Sequence, residues 1–296
     1  MIPSASVVRQ AVRLLGVVPV APVRWLARRA APLVYLLAGA RRTAVLENQA
    51  ALSPNATPAE QRRRARRTFA NFLEAAVDLW RLPTLRLDDF DAMVGIEGRE
   101  HLDEAMSMER GVIAVTAHLG PYELGGAWLA HRGYPVHAMV EALDPETNAA
   151  LALYREATGM KLLSRNAGVR ASLRLLRERQ VLLLVADRVV GDGADGLDVP
   201  FGAGRRAVPT GPAALSLATG APIVVGFITR SPDHTTRYRV RLEAPMLPRD
   251  TGDAHRDRQA LTREVAARLS RAVQSHSDEW FVFQPEWNRR DVANQD

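Results

Sequence analysis

The sequence predicts an α/β protein with a mostly parallel central sheet, helices on both faces of the sheet, and a helical N-terminal segment. Three observations carry this. Short apolar runs alternate with amphipathic stretches across residues 93–275, the pattern of strand–helix repeats that pair strands in parallel. Three of those runs end on a polar residue, His118, Glu141 or Asp187, and in open parallel sheets ligands sit beyond the carboxyl ends of the strands. The first 45 residues carry apolar clusters interrupted by Arg9, Arg13, Arg24, Arg28, Arg29, Arg41 and Arg42.

The elements follow in order. Pro19, Pro22 and Pro32 divide residues 1–45 into short helices, and no uncharged run reaches the ~18–20 residues of a spanning helix. Apolar clusters with arginine between them suit helices lying at a membrane interface, where the Arg stems snorkel to headgroups; packing on the domain is the other reading. SPNATP (53–58) is a turn-rich break. It divides an N-terminal amphipathic helical segment, residues 1–58, from a single domain, residues 59–296. Residues 59–81 read as one amphipathic helix, with Phe69, Phe72, Leu73, Ala76, Val77 and Trp80 at helical spacing. Arg62, Arg63, Arg64, Arg66 and Arg67 make either a solvated face or a headgroup-facing patch. A linker, a short strand near Met93–Ile96 and a helix from Arg99 complete this part.

The chain has 296 residues and a net charge of +6. Residues 1–81 hold thirteen Arg against four Asp and Glu, whereas the remainder holds 26 Lys and Arg against 29 acidic residues. The basic character is therefore N-terminal and suits an anionic surface, membrane or nucleic acid. There is no cysteine, which excludes disulfides and thiolate metal sites. The start lacks the pattern of a secretory signal.

The organising stretch is Gly111–Ala130. The apolar run Val112–Ala117 reads as a buried strand that delivers His118 to a turn made by Gly120 and Pro121, with a helix leaving it. Residues five apart on one helix diverge, so His118 and Glu123 meet only if the histidine sits in the turn. A carboxylate on one imidazole nitrogen fixes the tautomer and leaves the other nitrogen to take a proton from a hydroxyl. A strand-end histidine beside an ordinary helix glutamate fits the spacing equally. Further along, Pro135–Val140 is a second strand ended by Glu141, residues 145–158 a helix, and Met160–Leu163 a third strand. Residues 168–179 are an Arg-rich helix, and Val181–Ala186 is a buried strand ending on Asp187 and Arg188. Residues 191–208 read as a Gly/Asp-rich loop, Thr210–Thr219 as a helix, Ile223–Thr229 as a strand, Arg237–Leu242 as an edge strand, and 254–275 as a long helix before a tail with Trp280, Phe281, Phe283 and Trp287. GDGADG (191–196) lacks the acidic ladder and terminal Glu of a calcium loop, and no cluster suggests zinc, so no metal is expected.

HLGPYE (118–123), with its preceding strand, resembles the H-x4-D/E motif of glycerolipid-type acyltransferases. LLLVADR (182–188), GLDVPFGAGRRAVPTGPAALSLATGAPIV (196–224) and DEWFVFQPEW (278–287) sharpen this. Together they resemble the bacterial lipid A biosynthesis acyltransferase family, and look closest to its phosphatidylinositol mannoside acyltransferase branch. The resemblance implies a glycerolipid-acyltransferase-like sandwich whose N-terminal segment associates with the membrane. It also implies catalysis by His118 as general base, oriented by Glu123. Arg155 is implied as the oxyanion donor, with Glu141, Arg165, Asp187 and Arg188 binding substrate. Asp187 either holds a sugar hydroxyl or supports His118. The family usually begins with a spanning helix, and this chain departs from that.

The resulting expectation is an O-acyltransferase, peripheral on the cytoplasmic face of the cell membrane. Acyl-CoA or acyl carrier protein is the co-substrate, a glycolipid hydroxyl is the acceptor, and no cofactor is needed. Anionic membrane surface is an expected partner and nucleic acid is not. A lysophospholipid acyltransferase is the alternative enzyme, and a non-catalytic basic membrane-surface or nucleic-acid binding protein the alternative of another class.

Overall fold

The computed structural model describes residues 18–140, 158–164, 168–189, 195–232, 235–284 and 287. A seven-stranded sheet runs in the order β1-β9-β8-β2-β5-β3-β4. Its strands are β1 (Val94–Glu97), β2 (Val112–Thr116), β3 (Val136–Val140), β4 (Lys161–Ser164), β5 (Val181–Val185), β8 (Ile223–Arg230) and β9 (Tyr238–Leu242). Every neighbouring pair is parallel except β8 with β9. The strand expected at an edge, β9, is instead covered by β1; its alternation reflects one face turned towards solvent, with Val240 and Leu242 buried and Arg241 exposed.

The strand β2 shows why the sheet needs helices on both sides. Ile113, Val115 and Ala117 join one core cluster and Val112 and Ala114 the other, all of them buried. A strand covered on both faces carries a continuous apolar run rather than an alternating one. One cluster packs against α7 (Gly168–Arg177), α8 (Gly211–Thr219) and α9 (Ala254–Ser275) through Leu176, Ala213 and Leu269. The other packs against α4 (Leu87–Met93), α5 (Arg99–Ser107) and α6 (Tyr122–His131) through Phe90, Leu102 and Trp128. Each of the leucine and phenylalanine side chains among them, fully buried, contributes about 1.5–3 kcal/mol.

Within the stretch expected to be a loop, residues 191–208, the part from 196 onwards is paired. Among the described residues, β6 (Gly196–Phe201) and β7 (Gly204–Pro209) form an antiparallel hairpin that buries Val199, Phe201 and Val208. Proline is tolerated there because a two-stranded ribbon consists only of edges.

The N-terminal region also departs from expectation. Helix α1 (Val20–Leu37) continues through Pro32 instead of breaking. Pro32 lies on its exposed side, and packing against α3 (Pro58–Arg81) holds the helix together across the lost hydrogen bond. Between them, α2 (Ala40–Leu52) leads into Thr57, which caps α3 reciprocally with Glu60. The buried face of α3 takes in only part of the expected apolar stripe, Phe69 being its buried member. Thr68, Asn71, Glu74 and Asp78 are buried, while Phe72 is exposed and Trp80 half-buried. The reason is a buried ion network. Arg24 and Arg28 of α1 pair with Asp78 and Glu74, as do Arg237, just before β9, and, at Glu74, Arg230 at the end of β8. Tyr238 donates its hydroxyl to Asp78 at 2.6 Å, and burial with the neighbouring carboxylate pushes that phenol far above its ordinary value. Removing one partner of such a pair leaves a buried charge uncompensated. Among the described residues, no helix is long and apolar enough to cross a membrane.

Candidate active site

The site is built by strand register. Strands β2 and β5 are parallel neighbours, with Thr116 opposite Val185. Two residues beyond each of these come His118 and Asp187, so the same offset of 69 places them side by side. His118 Nδ1 lies 2.7 Å from Asp187 Oδ1, and the His118 backbone N–H donates to Asp187 Oδ2 at 3.0 Å. The carboxylate on Nδ1 is therefore Asp187, expected either to hold a sugar hydroxyl or to support His118. Helical spacing does not decide the neighbour of a residue that sits in the turn beyond a strand; the adjacent strand does.

Asp187 is fully buried. Burial alone pushes its carboxyl up, but the His118 imidazole, the Arg206 guanidinium and the Trp280 indole together hold it well below the usual carboxylate range. These neighbours favour the carboxylate form, which has no proton to give and takes Nδ1–H as its donor. That leaves Nε2 as the imidazole nitrogen able to accept a proton.

The turn itself is pinned from behind. Gly120 has φ 59°, and a Cβ there would meet the Ile228 carbonyl oxygen at 2.0 Å, so only glycine fits. Gly120 N–H donates to the Glu279 carbonyl at 2.8 Å, and Phe281 N–H donates to the His118 carbonyl at 2.8 Å. The Glu279 carboxyl, buried beside the Arg230 N–H, is raised to about 7 by that burial.

A cavity of about 710 Å³ opens beside His118, within the size range of small-molecule sites, about 300–1,000 Å³. His118, Glu123, Arg188, Asp195, Thr210 and Arg258 line its polar part. Ala138, Met139, Met160, Leu173, Leu183, Leu215 and Ala218 line the rest. Glu123 stands in the first turn of α6, where the helix dipole favours a carboxylate, and shares the cavity with His118. Thr210 and Arg258 both donate to Asp195, at 2.6 and 3.1 Å. Of the expected substrate-binding residues, Arg188 lines the cavity just beyond β5, whereas Asp187 is fully buried behind His118 and does not line it. Glu141, Arg155 and Arg165 lie outside the described residues. Trp280 and Arg206 lie in two of the family-like segments, 278–287 and 196–224, but no site role was expected of either; both are large polar-tipped side chains fully buried behind Asp187.

The arrangement combines a histidine whose tautomer is fixed by a buried anion, an adjoining greasy cavity, and polar groups at the junction. It can deprotonate a hydroxyl next to an apolar ligand. A family model described as Bacterial lipid A biosynthesis acyltransferase matches residues 4–289. The phosphatidylinositol mannoside acyltransferase of Mycobacterium tuberculosis (strain ATCC 25618 / H37Rv) is 28% identical over 225 residues, covering 71% of this chain and 66% of that protein. The chain thus spans just under two thirds of that relative. The phosphatidylinositol mannoside acyltransferase of Mycolicibacterium smegmatis is 26% identical over 227 residues, covering 75% of this chain and 71% of that one. The crystal structure of the 1-acyl-sn-glycerophosphate acyltransferase PlsC from Thermotoga maritima superposes with a TM-score of 0.38 at 15% identity, over 79% of this chain and 98% of that chain.

Proposed function

Since the chain belongs to the bacterial lipid A biosynthesis acyltransferase family, we propose that it is an O-acyltransferase. It moves a fatty acyl group from acyl-CoA or acyl carrier protein to a hydroxyl of a membrane glycolipid, of phosphatidylinositol mannoside or lipid A precursor type. The observation that carries this is the His118 Nδ1–Asp187 contact of 2.7 Å at the mouth of a largely apolar cavity.

The acceptor hydroxyl gives its proton to His118 Nε2 as its oxygen attacks the thioester carbonyl. Asp187 stabilises the imidazolium that forms, as a buried carboxylate does in other acyl-transfer sites. The tetrahedral intermediate collapses, the carbon–sulfur bond breaks, and the imidazolium returns the proton to the departing thiolate. Arg155 is the oxyanion donor that the family resemblance singles out. Glu123, on the same cavity wall as His118, holds a hydroxyl of the acceptor. Met139, Met160, Leu173 and Leu183 take the acyl chain. His118 and the substrates carry every proton in this scheme, so it uses no metal or organic cofactor.

The protein works as a peripheral protein on the cytoplasmic face of the cell membrane. Helix α1 supports this placement. Its outer face exposes Trp25, Leu26, Leu33, Leu36 and Leu37, with the Arg29 guanidinium over the Trp25 ring. An apolar face flanked by arginine is the signature of an interfacial helix on anionic lipid.

The test uses labelled palmitoyl-CoA with vesicles carrying phosphatidylinositol mannoside, lipid A precursor or lysophospholipid. Label is expected on a glycolipid with wild-type protein and on none with His118→Ala. Transfer retained in His118→Ala overturns the mechanism, and label on lysophospholipid alone overturns the acceptor class.

A further inference from the structure

The scheme above uses only the cavity side of the His118–Asp187 pair. Behind the pair, the Trp280 indole N–H donates to Asp187 Oδ2 at 2.7 Å. Resting on the acyltransferase reading, we propose that Trp280 is a positioning residue for the reaction: its N–H, with Arg206 over its ring, locks the Asp187 carboxylate in the orientation that keeps His118 protonated on Nδ1.

A carboxylate turns about its Cβ–Cγ bond, and one hydrogen bond to Nδ1 does not fix its plane. Here Oδ1 faces Nδ1, while Oδ2 accepts two N–H groups from separate elements, the His118 backbone at 3.0 Å and the indole at 2.7 Å. Together they define the plane. Trp280 is 1% exposed. A phenyl ring would supply most of its packing, so the N–H is the feature that only tryptophan brings.

Arg206 is equally buried, and its guanidinium carbon lies 4.8 Å from the Trp280 ring centroid, 5.3 Å from Phe201 and 5.5 Å from Trp287. A cation over an aromatic face is held by the ring's quadrupole. It also draws electron density from the indole, which strengthens the N–H as a donor to an anion. The same positive charge favours the ionised form of Asp187. Residues Glu279 and Phe281, on either side of Trp280, hold the backbone of the histidine turn. One three-residue strap therefore sets both the imidazole's backbone and its carboxylate partner.

The experiment uses the full chain labelled with 15N-histidine and 15N-tryptophan. In wild type, the His118 nitrogens are expected to show a single tautomer protonated on Nδ1. In Trp280→Phe they move towards the averaged shifts of a free imidazole. Transfer from palmitoyl-CoA to phosphatidylinositol mannoside vesicles falls about 10- to 100-fold in kcat, the value of one charge-assisted hydrogen bond, with KM for palmitoyl-CoA within about twofold. In the Asp187→Asn background, Trp280→Phe costs no further activity. An unchanged His118 nitrogen pattern in Trp280→Phe overturns the proposal. If that variant does not fold, the wild-type Trp280 indole resonance decides: it moves upfield in Asp187→Asn as a neutral oxygen replaces the anion, and an unmoved resonance overturns the proposal. Wild type without transfer activity defeats the acyltransferase reading, while the nitrogen shifts still decide the role of Trp280.

Discussion

Replacing Asp187 by asparagine separates the chemical role of this carboxylate from its structural one. Both backbone and indole donors converge on Oδ2. An asparagine can put its single carbonyl oxygen there, satisfying both, which leaves its NH2 group facing His118 Nδ1. That group donates, so Nδ1 must become the acceptor and the ring proton moves to Nε2. The imidazole then presents N–H to the substrate hydroxyl and cannot take its proton. The fold keeps all three hydrogen bonds, the one to Nδ1 with its direction reversed, while kcat is expected to fall by about 10³–10⁴. Asp187→Ala behaves differently. It leaves the His118 N–H and the Trp280 N–H buried and unsatisfied, at about 1–3 kcal/mol each, so the melting temperature falls by roughly 5–15 °C. The assays are initial rates of acyl transfer with saturating donor and thermal melts of the same preparations. Asp187→Asn retaining more than about one tenth of wild-type kcat would show that the tautomer of His118 does not matter and refute the reasoning.

Three further outcomes are expected. Glu279 has a folded-state pKa raised from 4.5 to about 7, so the folded protein keeps a proton that the unfolded chain releases. Stability therefore declines as pH rises from about 4.5 through 7, by up to about 3 kcal/mol; urea melts across that range should show a slope that Glu279→Gln flattens. Leu183→Trp fills the apolar part of the cavity, and the preference for palmitoyl-CoA over octanoyl-CoA should fall by about 10- to 100-fold, read as a ratio of kcat/KM values. Trp25→Ser with Leu33→Ser removes two exposed anchors worth about 1.5–3 kcal/mol each when buried in lipid. Sedimentation with anionic vesicles should drop by at least about tenfold, while transfer to a detergent-dispersed acceptor stays near wild type.

Much of the fold was legible because burial on both faces of a parallel sheet writes itself as unbroken apolar runs. Val112–Ala117 and Val181–Ala186 were readable as core strands, and the polar residues that end them, His118 and Asp187, as candidates for a site. Misreadings fell where a local signal met a tertiary one. Gly and Asp made residues 191–208 read as a loop, yet hairpin pairing and the burial of Phe201 hold Gly196–Phe201 and Gly204–Pro209 as strands. The apolar stripe of α3 suggested its buried face, but the arginines that bury Glu74 and Asp78 come from α1, the end of β8 and the residue just before β9. Pro32 promised a break that packing against α3 prevents.

By itself the sequence determined which side chains stand at the strand ends, because alternation, run length and the Gly120-Pro121 turn are local properties of the chain. Only the tertiary structure decided which of them meet. His118 finds Asp187 because β2 and β5 are neighbours in register, although 69 residues separate the pair. Trp280 reaches the same carboxylate from 93 residues further on. Contacts of that kind depend on strand order and on the route of the C-terminal strap, and no short-range pattern in the chain encodes either.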